Sequence, residues 1–275
     1  MSAEIELLGM RVAVIDSRGL LDRIFEASSR GEGGWVVTAN LDIVRRYVLD
    51  SDARGLYAAA DLRVADGMPL VWASKLRGSP LPERVAGSTL TSELAERAAR
   101  EGRTLYLLGG DPGAAEACRD VLCARHPGLR ILGCASPRVS SPATTEQIDA
   151  IANEIDACGA SPDVILVGFG SPKQEYVIQK LKQRYPRAWL MGVGITFSFI
   201  AGHQARAPVW MRRIGAEWVH RMAQDPRRLV RRYLIDDLPF AALLFGEALV
   251  ILVATRRHER SRLFSRLRAA VGRPK

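Results

Sequence analysis

The sequence predicts an α/β fold: a mostly parallel sheet flanked by helices, with a basic helical appendage at its C-terminal end. Three observations predict it. Short apolar runs recur between longer stretches of helical periodicity, proline, glycine and serine interrupt both patterns, and positive charge gathers after Gly202. With 275 residues, 48% of them hydrophobic and 25% charged, the chain has material for one large core or two modest ones.

Seven runs read as strands: residues 11–15, 35–38, 62–65, 104–108, 130–134, 164–167 and 189–193. Between most of them lie segments such as 90–101 and 112–125, whose apolar residues recur at helical spacing with charges on the other face. This alternation implies βαβ units and a sheet covered by helices. The stretches RGSPLP at 77–82 and SPRVSSPATT at 136–145 read as loops, and no repeat of solenoid length is visible. The expected division is an α/β body over 1–202 and an appendage over 203–275.

Charge supports that division. The first 202 residues carry a net charge of −1, whereas the remaining 73 carry +10, and all of their basic residues except Lys275 are arginine. Arginine favours bidentate phosphate contacts, so the tail suits a phosphorylated substrate, an anionic membrane surface or a nucleic acid. Within it, 207–223 and 226–234 read as basic helices, followed by an apolar stretch at 238–255. Those 18 residues would span roughly 27 Å as a helix against the ~30 Å of a hydrocarbon core, and Glu247 falls near their middle. An interfacial helix is expected ahead of a spanning one. Beyond it, RRHERSRLFSRLR sets Leu263, Phe264 and Leu267 on one side among arginines, which suits either an anionic bilayer surface or packing on the body.

Cys118, Cys123, Cys134 and Cys158 form no CxxC pair and match no histidine spacing, so reduced thiols are expected rather than a zinc site or disulfides. His126, His203, His220 and His258 lack paired ligand spacing, and neither a metal nor a cofactor is expected. The opening MSAEIELLGM lacks a basic segment followed by an apolar run, so a cytoplasmic location is expected.

Four segments could carry chemistry. In WVVTANLDIV, Thr38 and Asn40 stand at the carboxyl edge of a strand, where open α/β sheets bind ligands; taken alone they read first as a turn and helix cap. LRVADGMPLVW brings Asp66 to the corresponding edge, as an acid able to take a proton from a hydroxyl or as part of an ordinary Asp-Gly turn. LYLLGGDPGAAEA offers Gly109 and Gly110 before a helix, either a phosphate loop or a tight turn, and it is not GxGxxG. DVILVGFGSPKQE is sharper, with Gly168 and Gly170 permitting close backbone approach and Lys173 and Gln174 opening a helix where they could contact a diphosphate or sugar. In RAPVWMRRIGAEWVHRMAQDPRRLVRRYL, arginines including Arg212, Arg221, Arg228 and Arg231 are spaced so that several share a helix face and could close over a pyrophosphate.

The pieces TAN, ADG, PERVAGS, LLGGDPG, VGFGSPKQE, GVGITFSFIAG, RAPVWMRR and EWVHRMAQDPRRLVRR occur in that order between about residues 35 and 233. Together they resemble the WecG/TagA/CpsF glycosyltransferases. The resemblance implies a Rossmann-like α/β catalytic body over 1–202, an appendage over 203–275 that closes the site at the membrane, and an inverting, metal-independent transfer in cell-surface polysaccharide synthesis. It makes Asp66 the general base, Thr38, Asn40 and Gln174 shapers of the donor site, and the tail arginines holders of donor or acceptor diphosphate. The implied partners are a UDP-sugar, a polyprenyl-diphosphate-linked saccharide and the inner face of the cell membrane, with a homo-oligomer as an open alternative. Thr89 and Ser198 stand where an Asp is usual in the family pattern, which leaves the donor open between an N-acetylmannosamine type and another hexose. Two readings of other classes compete: a nucleic-acid-binding protein using the arginine tail, which lacks interleaved aromatics, and a nucleotide-binding regulator without catalysis.

Overall fold

The protein is described by a computed structural model covering residues 3–271; the side-chain surroundings of Arg213, Arg228 and residues 258–271 lie outside the described set. Chain order is β1 (Glu4–Leu7), β2 (Met10–Ala13), α1 (Ser17–Ser29), β3 (Gly34–Ala39), α2 (Leu41–Leu49), α3 (Ser51–Ala58), β4 (Leu62–Ala65), α4 (Met68–Leu76), α5 (Gly87–Glu101), β5 (Thr104–Gly109), α6 (Ala114–Arg125), β6 (Arg130–Ala135), α7 (Thr145–Asp156), β7 (Val164–Gly168), α8 (Lys173–Arg184) and β8 (Trp189–Gly192). There follow α9 (Thr196–Ile200), α10 (Val209–Arg213), α11 (Glu217–Gln224), α12 (Pro226–Val230), a π-helical segment (Arg231–Asp237) and α13 (Leu238–Val271).

Six strands form one all-parallel sheet in the order β4-β3-β8-β7-β5-β6. Parallel pairing places every strand's carboxyl end along one rim, so the candidate residues after β3, β4, β5 and β7 share an edge. Both faces are covered, which is why these strands read as unbroken apolar runs. Alternate residues separate into two cores. Trp35, Val37, Ile165 and Val167 point toward α2, α3, α4, α7 and α8, while Val36, Val164 and Leu166 point toward α1, α5, α6 and α9.

The first predicted run does not enter this sheet. As β2 it pairs antiparallel with β1, a strand the sequence reading missed, through a two-residue turn in which Leu8 and Gly9 both have positive φ, 49° and 81°. That turn matches the twist of a hairpin and ties the run to its immediate neighbour.

The appendage also differs in its joints. The predicted helix 207–223 is broken at Gly215, whose φ is 74°, giving α10 and α11. The segments 238–255 and 256–268 form one continuous helix, α13, because no glycine or proline stands at their junction and arginine is a good helix former. Residues Arg231–Arg257 are long and apolar enough to cross a membrane by length and composition. Yet Phe240, Leu244 and Ala248 are buried in the core beside α4, and Glu247 accepts a hydrogen bond from the Leu8 N–H at 2.9 Å. The carboxylate in the apolar run is therefore a tether to the hairpin.

Candidate active site

β3 and β4 end side by side. The Asp66 N–H continues the ladder to the Ala39 carbonyl at 2.7 Å, and Gly67 lies against Asn40. Asn40 caps α2, its side-chain oxygen accepting from the Ile43 N–H at 3.1 Å, so the cap expected from the sequence is present at the rim itself. Thr38 is buried and donates to the Gly192 carbonyl at 3.3 Å, joining the end of β3 to that of β8.

Asp66 lies at the foot of a charged cluster. Its carboxyl accepts from the Gly87 N–H at 3.4 Å. Burial pushes its pKa up to about 7, against the opposing pull of Arg84 and Arg221, with Glu217 adding to the rise. Arg84 and Glu217 form an ion pair at 2.9 Å, both side chains largely buried. Arg206 lies within electrostatic reach of Arg212, Glu217, Arg84 and Asp66. Arg221 is thus brought toward Asp66 and Arg212 toward Arg206, whereas Arg231 is exposed and the Arg228 side chain lies outside the described residues.

Gly215 explains how the appendage reaches the site. A Cβ there would stand 2.7 Å from Met68 and Trp72, the first turns of the helix that follows Asp66, so the bare backbone of the α10–α11 turn sits directly on α4. The same contact sets α11, with Glu217 and Arg221, over the rim.

The other strand ends form a packed loop cluster. Gly110 has a φ of 88°, donates to the Gly168 carbonyl at 2.9 Å, and leaves only 3.2 Å between a Cβ and Phe197. Phe197 crowds Gly168 as well, and Phe169 crowds Gly109, so these glycines are required by the packing of the turns. Gly170 faces open space. Gln174 is buried: its side-chain oxygen accepts from the N–H groups of Gly170 at 3.2 Å and Gly194 at 3.1 Å, and its amide donates to Glu175 at 2.9 Å. Gln174 thereby holds two rim loops in place, while Lys173 is partly exposed at the first position of α8. Ser198 donates to Asp111 at 3.2 Å, and Thr89 accepts from Arg206 at 2.9 Å.

The remaining tail arginine with described contacts, Arg232, is structural. It pairs with Asp42 at 3.3 Å and with Asp237 at 3.7 Å, while Arg45 pairs with the same two carboxylates at 2.7 and 3.5 Å. A cavity of about 550 Å³ at the β6 edge, lined by residues including Tyr106, Glu116, Cys134 and Cys158, includes none of the rim groups around Asp66.

Sequence reading missed Arg84, Glu217 and Arg206. The available signals were a lone cation inside the apolar RVAG segment and a lone acid among the basic residues of 203–224.

A doubly covered parallel sheet with a carboxylate of raised pKa and several guanidinium groups at its carboxyl rim has the features of a candidate active site. The chain belongs to the glycosyl transferase WecG/TagA/CpsF family, whose sequence model matches residues 5–252. Membership makes it a glycosyltransferase of cell-surface polysaccharide synthesis, acting between a sugar donor and a lipid-linked acceptor in a membrane-associated setting. The nucleic-acid-binding and regulator readings give way to the enzyme.

Proposed function

We propose that the protein is an inverting, metal-independent hexosyltransferase that moves a sugar from a UDP-sugar, of N-acetylmannosamine type or another hexose, to a polyprenyl-diphosphate-linked saccharide. The observation that carries this reading is the Asp66 carboxyl, raised to about 7 beside Arg84 and Arg221. A base with a pKa near the working pH combines adequate ionisation with proton affinity. Asp66 takes the proton of the acceptor hydroxyl as that oxygen attacks the anomeric carbon, and the bond to the diphosphate breaks with its electron pair leaving on UDP. Guanidinium groups and backbone N–H groups hold the growing negative charge.

In this reading residues 1–202 form the catalytic body, and 203–275 close the site and meet the inner face of the membrane. Thr38, Asn40, Gly109, Gly110, Gly168, Gly170, Lys173 and Gln174 shape the donor side, Gln174 by fixing its loops; Arg212, Arg221, Arg228 and Arg231 serve the diphosphates. Exposed apolar side chains support the membrane role: Trp72, Trp210, Ile214, Trp218, Leu243 and Val250 lie on α4 and the appendage. Because α13 is tethered through Glu247, an orientation along the interface is favoured over a crossing.

The test is a panel of UDP-sugars with a polyprenyl diphosphate saccharide, following UDP release and the anomeric configuration of the product by NMR. One donor should give acceptor-dependent UDP and an inverted linkage. Retention of configuration, or no transfer from any nucleotide sugar, would overturn the proposal.

A further inference from the structure

Gln174 binds two strand ends at once, and a buried acid decides how it can do so. Its Oε1 accepts from the N–H groups of Gly170, in the turn after β7, and Gly194, in the turn after β8. On the other side of the amide, Nε2 rests against the bare Cα of Gly192, where a Cβ would come within 2.4 Å, and donates to Glu175 Oε1 at 2.9 Å. The Gly192 carbonyl in turn accepts from Thr38, so the amide lies among groups from three parallel strands.

Glu175 is only 2% exposed, and a carboxyl taken out of water is costly unless its charge or its lone pairs are used. Its charge is poorly served. Burial pushes its pKa up in spite of Arg46, and that guanidinium is already paired with Asp42 at 3.1 Å. Its Oε2 is buried without a hydrogen-bond partner among the described residues. What remains is Oε1 and its bond to the Gln174 amide. A side-chain amide can turn over, exchanging its acceptor oxygen for a donor nitrogen. With an acceptor at Glu175, one orientation satisfies both ends. Turned over, the N–H groups of Gly170 and Gly194 would face an NH2 group, and the carboxyl would face an oxygen.

Resting on the glycosyl-transfer reading, we propose that Glu175 is a positioning residue: it sets the orientation of the Gln174 amide, and through that amide the Gly170 and Gly194 turns that receive the nucleotide-sugar donor. It acts as a hydrogen-bond acceptor rather than as a charge, and it touches neither substrate. Its influence falls on donor binding, because turns that drift apart weaken the ground-state and transition-state complexes alike and leave proton transfer at Asp66 intact.

Hydrogen exchange by mass spectrometry on the full chain reads the turns, and steady-state kinetics with the UDP-sugar that the chain transfers reads the donor site. E175A should speed exchange at Gly170 and Gly194 roughly tenfold while β5 keeps its protection, and should raise donor KM roughly tenfold with kcat and acceptor KM within about threefold of the parent. E175Q, which keeps an oxygen at the same reach without the charge, should restore both readouts. E175D, which keeps the charge and withdraws it by a methylene, should fall between E175A and the parent, and it is read in place of E175A if that chain does not fold. In a Q174A background E175A should add less than about twofold to donor KM, since Glu175 works through the amide. Parent-like exchange in E175A, an E175Q chain as impaired as E175D, or independent losses in the double variant would overturn the positioning role. The expected exchange pattern in a chain that transfers no sugar leaves Glu175 holding the turns and removes the reaction. Sugar transfer with a parent-like donor KM in E175A does the reverse.

Discussion

Asp66 is held where its ionised form is disfavoured, which serves proton transfer and costs stability. Its folded-state pKa of about 7 lies above the value near 4 expected when unfolded, so between those pH values the native state binds more protons. Stability from this group is therefore full below pH 4 and falls as the pH rises toward 7. Asp66→Asn should lose transfer by roughly 10²-fold or more and yet melt a few degrees higher than the parent at pH 8, as scanning calorimetry would read; a lower melting point would mean that the carboxylate is stabilising. Asp66 was legible in the sequence because a polar residue closing an apolar run marks a strand's end. Arg84 and Glu217 were not, since they are 133 residues apart and only the tertiary fold pairs them. Gln174 was legible as a helix-opening residue, but its hold on Gly170 and Gly194 depends on two loops that sequence spacing does not bring together.

Between elements, two joints decide how the appendage sits. At the α10–α11 turn, Gly215→Ala adds a Cβ at 2.7 Å from Met68 and Trp72 on a backbone of positive φ, so the turn must lift from α4. Loss of kcat/KM by roughly tenfold or more is expected, with a body that still unfolds cooperatively by circular dichroism. Parent-like kinetics would show that the turn's seat does not set the site. At the second joint, Arg232 and Asp237 are five residues apart, about 140° around an ordinary helix; the wider π-helical turn turns both toward Asp42 and Arg45. Burial alone would raise Asp42, but Arg232, Arg45 and Arg46 outweigh it and hold its pKa below the ordinary range. Asp42→Asn leaves those arginines short of a counter-charge and should cost roughly 3–5 kcal/mol in urea unfolding, whereas a change near zero would mark the cluster as solvated. Strand positions were legible from period and composition. The strand β1 and the π-helical joint were not, because β1 carries charged residues at alternate positions rather than an apolar run and a change of helical pitch leaves almost no periodic signal.

Over the whole molecule, charge and apolar surface gather on the appendage and α4. That asymmetry was readable as a basic tail, whereas the exposure of Trp72 on the body was not, because helical spacing alone does not say which neighbour covers a side chain. Binding to sedimented vesicles should rise with the fraction of anionic lipid and fall between low and high salt while retaining an apolar remainder. Equal binding to neutral and anionic vesicles would contradict the role given to the arginines. Asp66 joins sheet rim, appendage and chemistry in one group, and the pH dependence of kcat/KM reads it directly. The parent should gain activity as the pH rises through about 7, and Asp66→Asn should lose both the activity and that rising limb. A flat profile from pH 5.5 to 8.5, or an Asp66→Asn chain turning over at the parent's rate, would contradict the account.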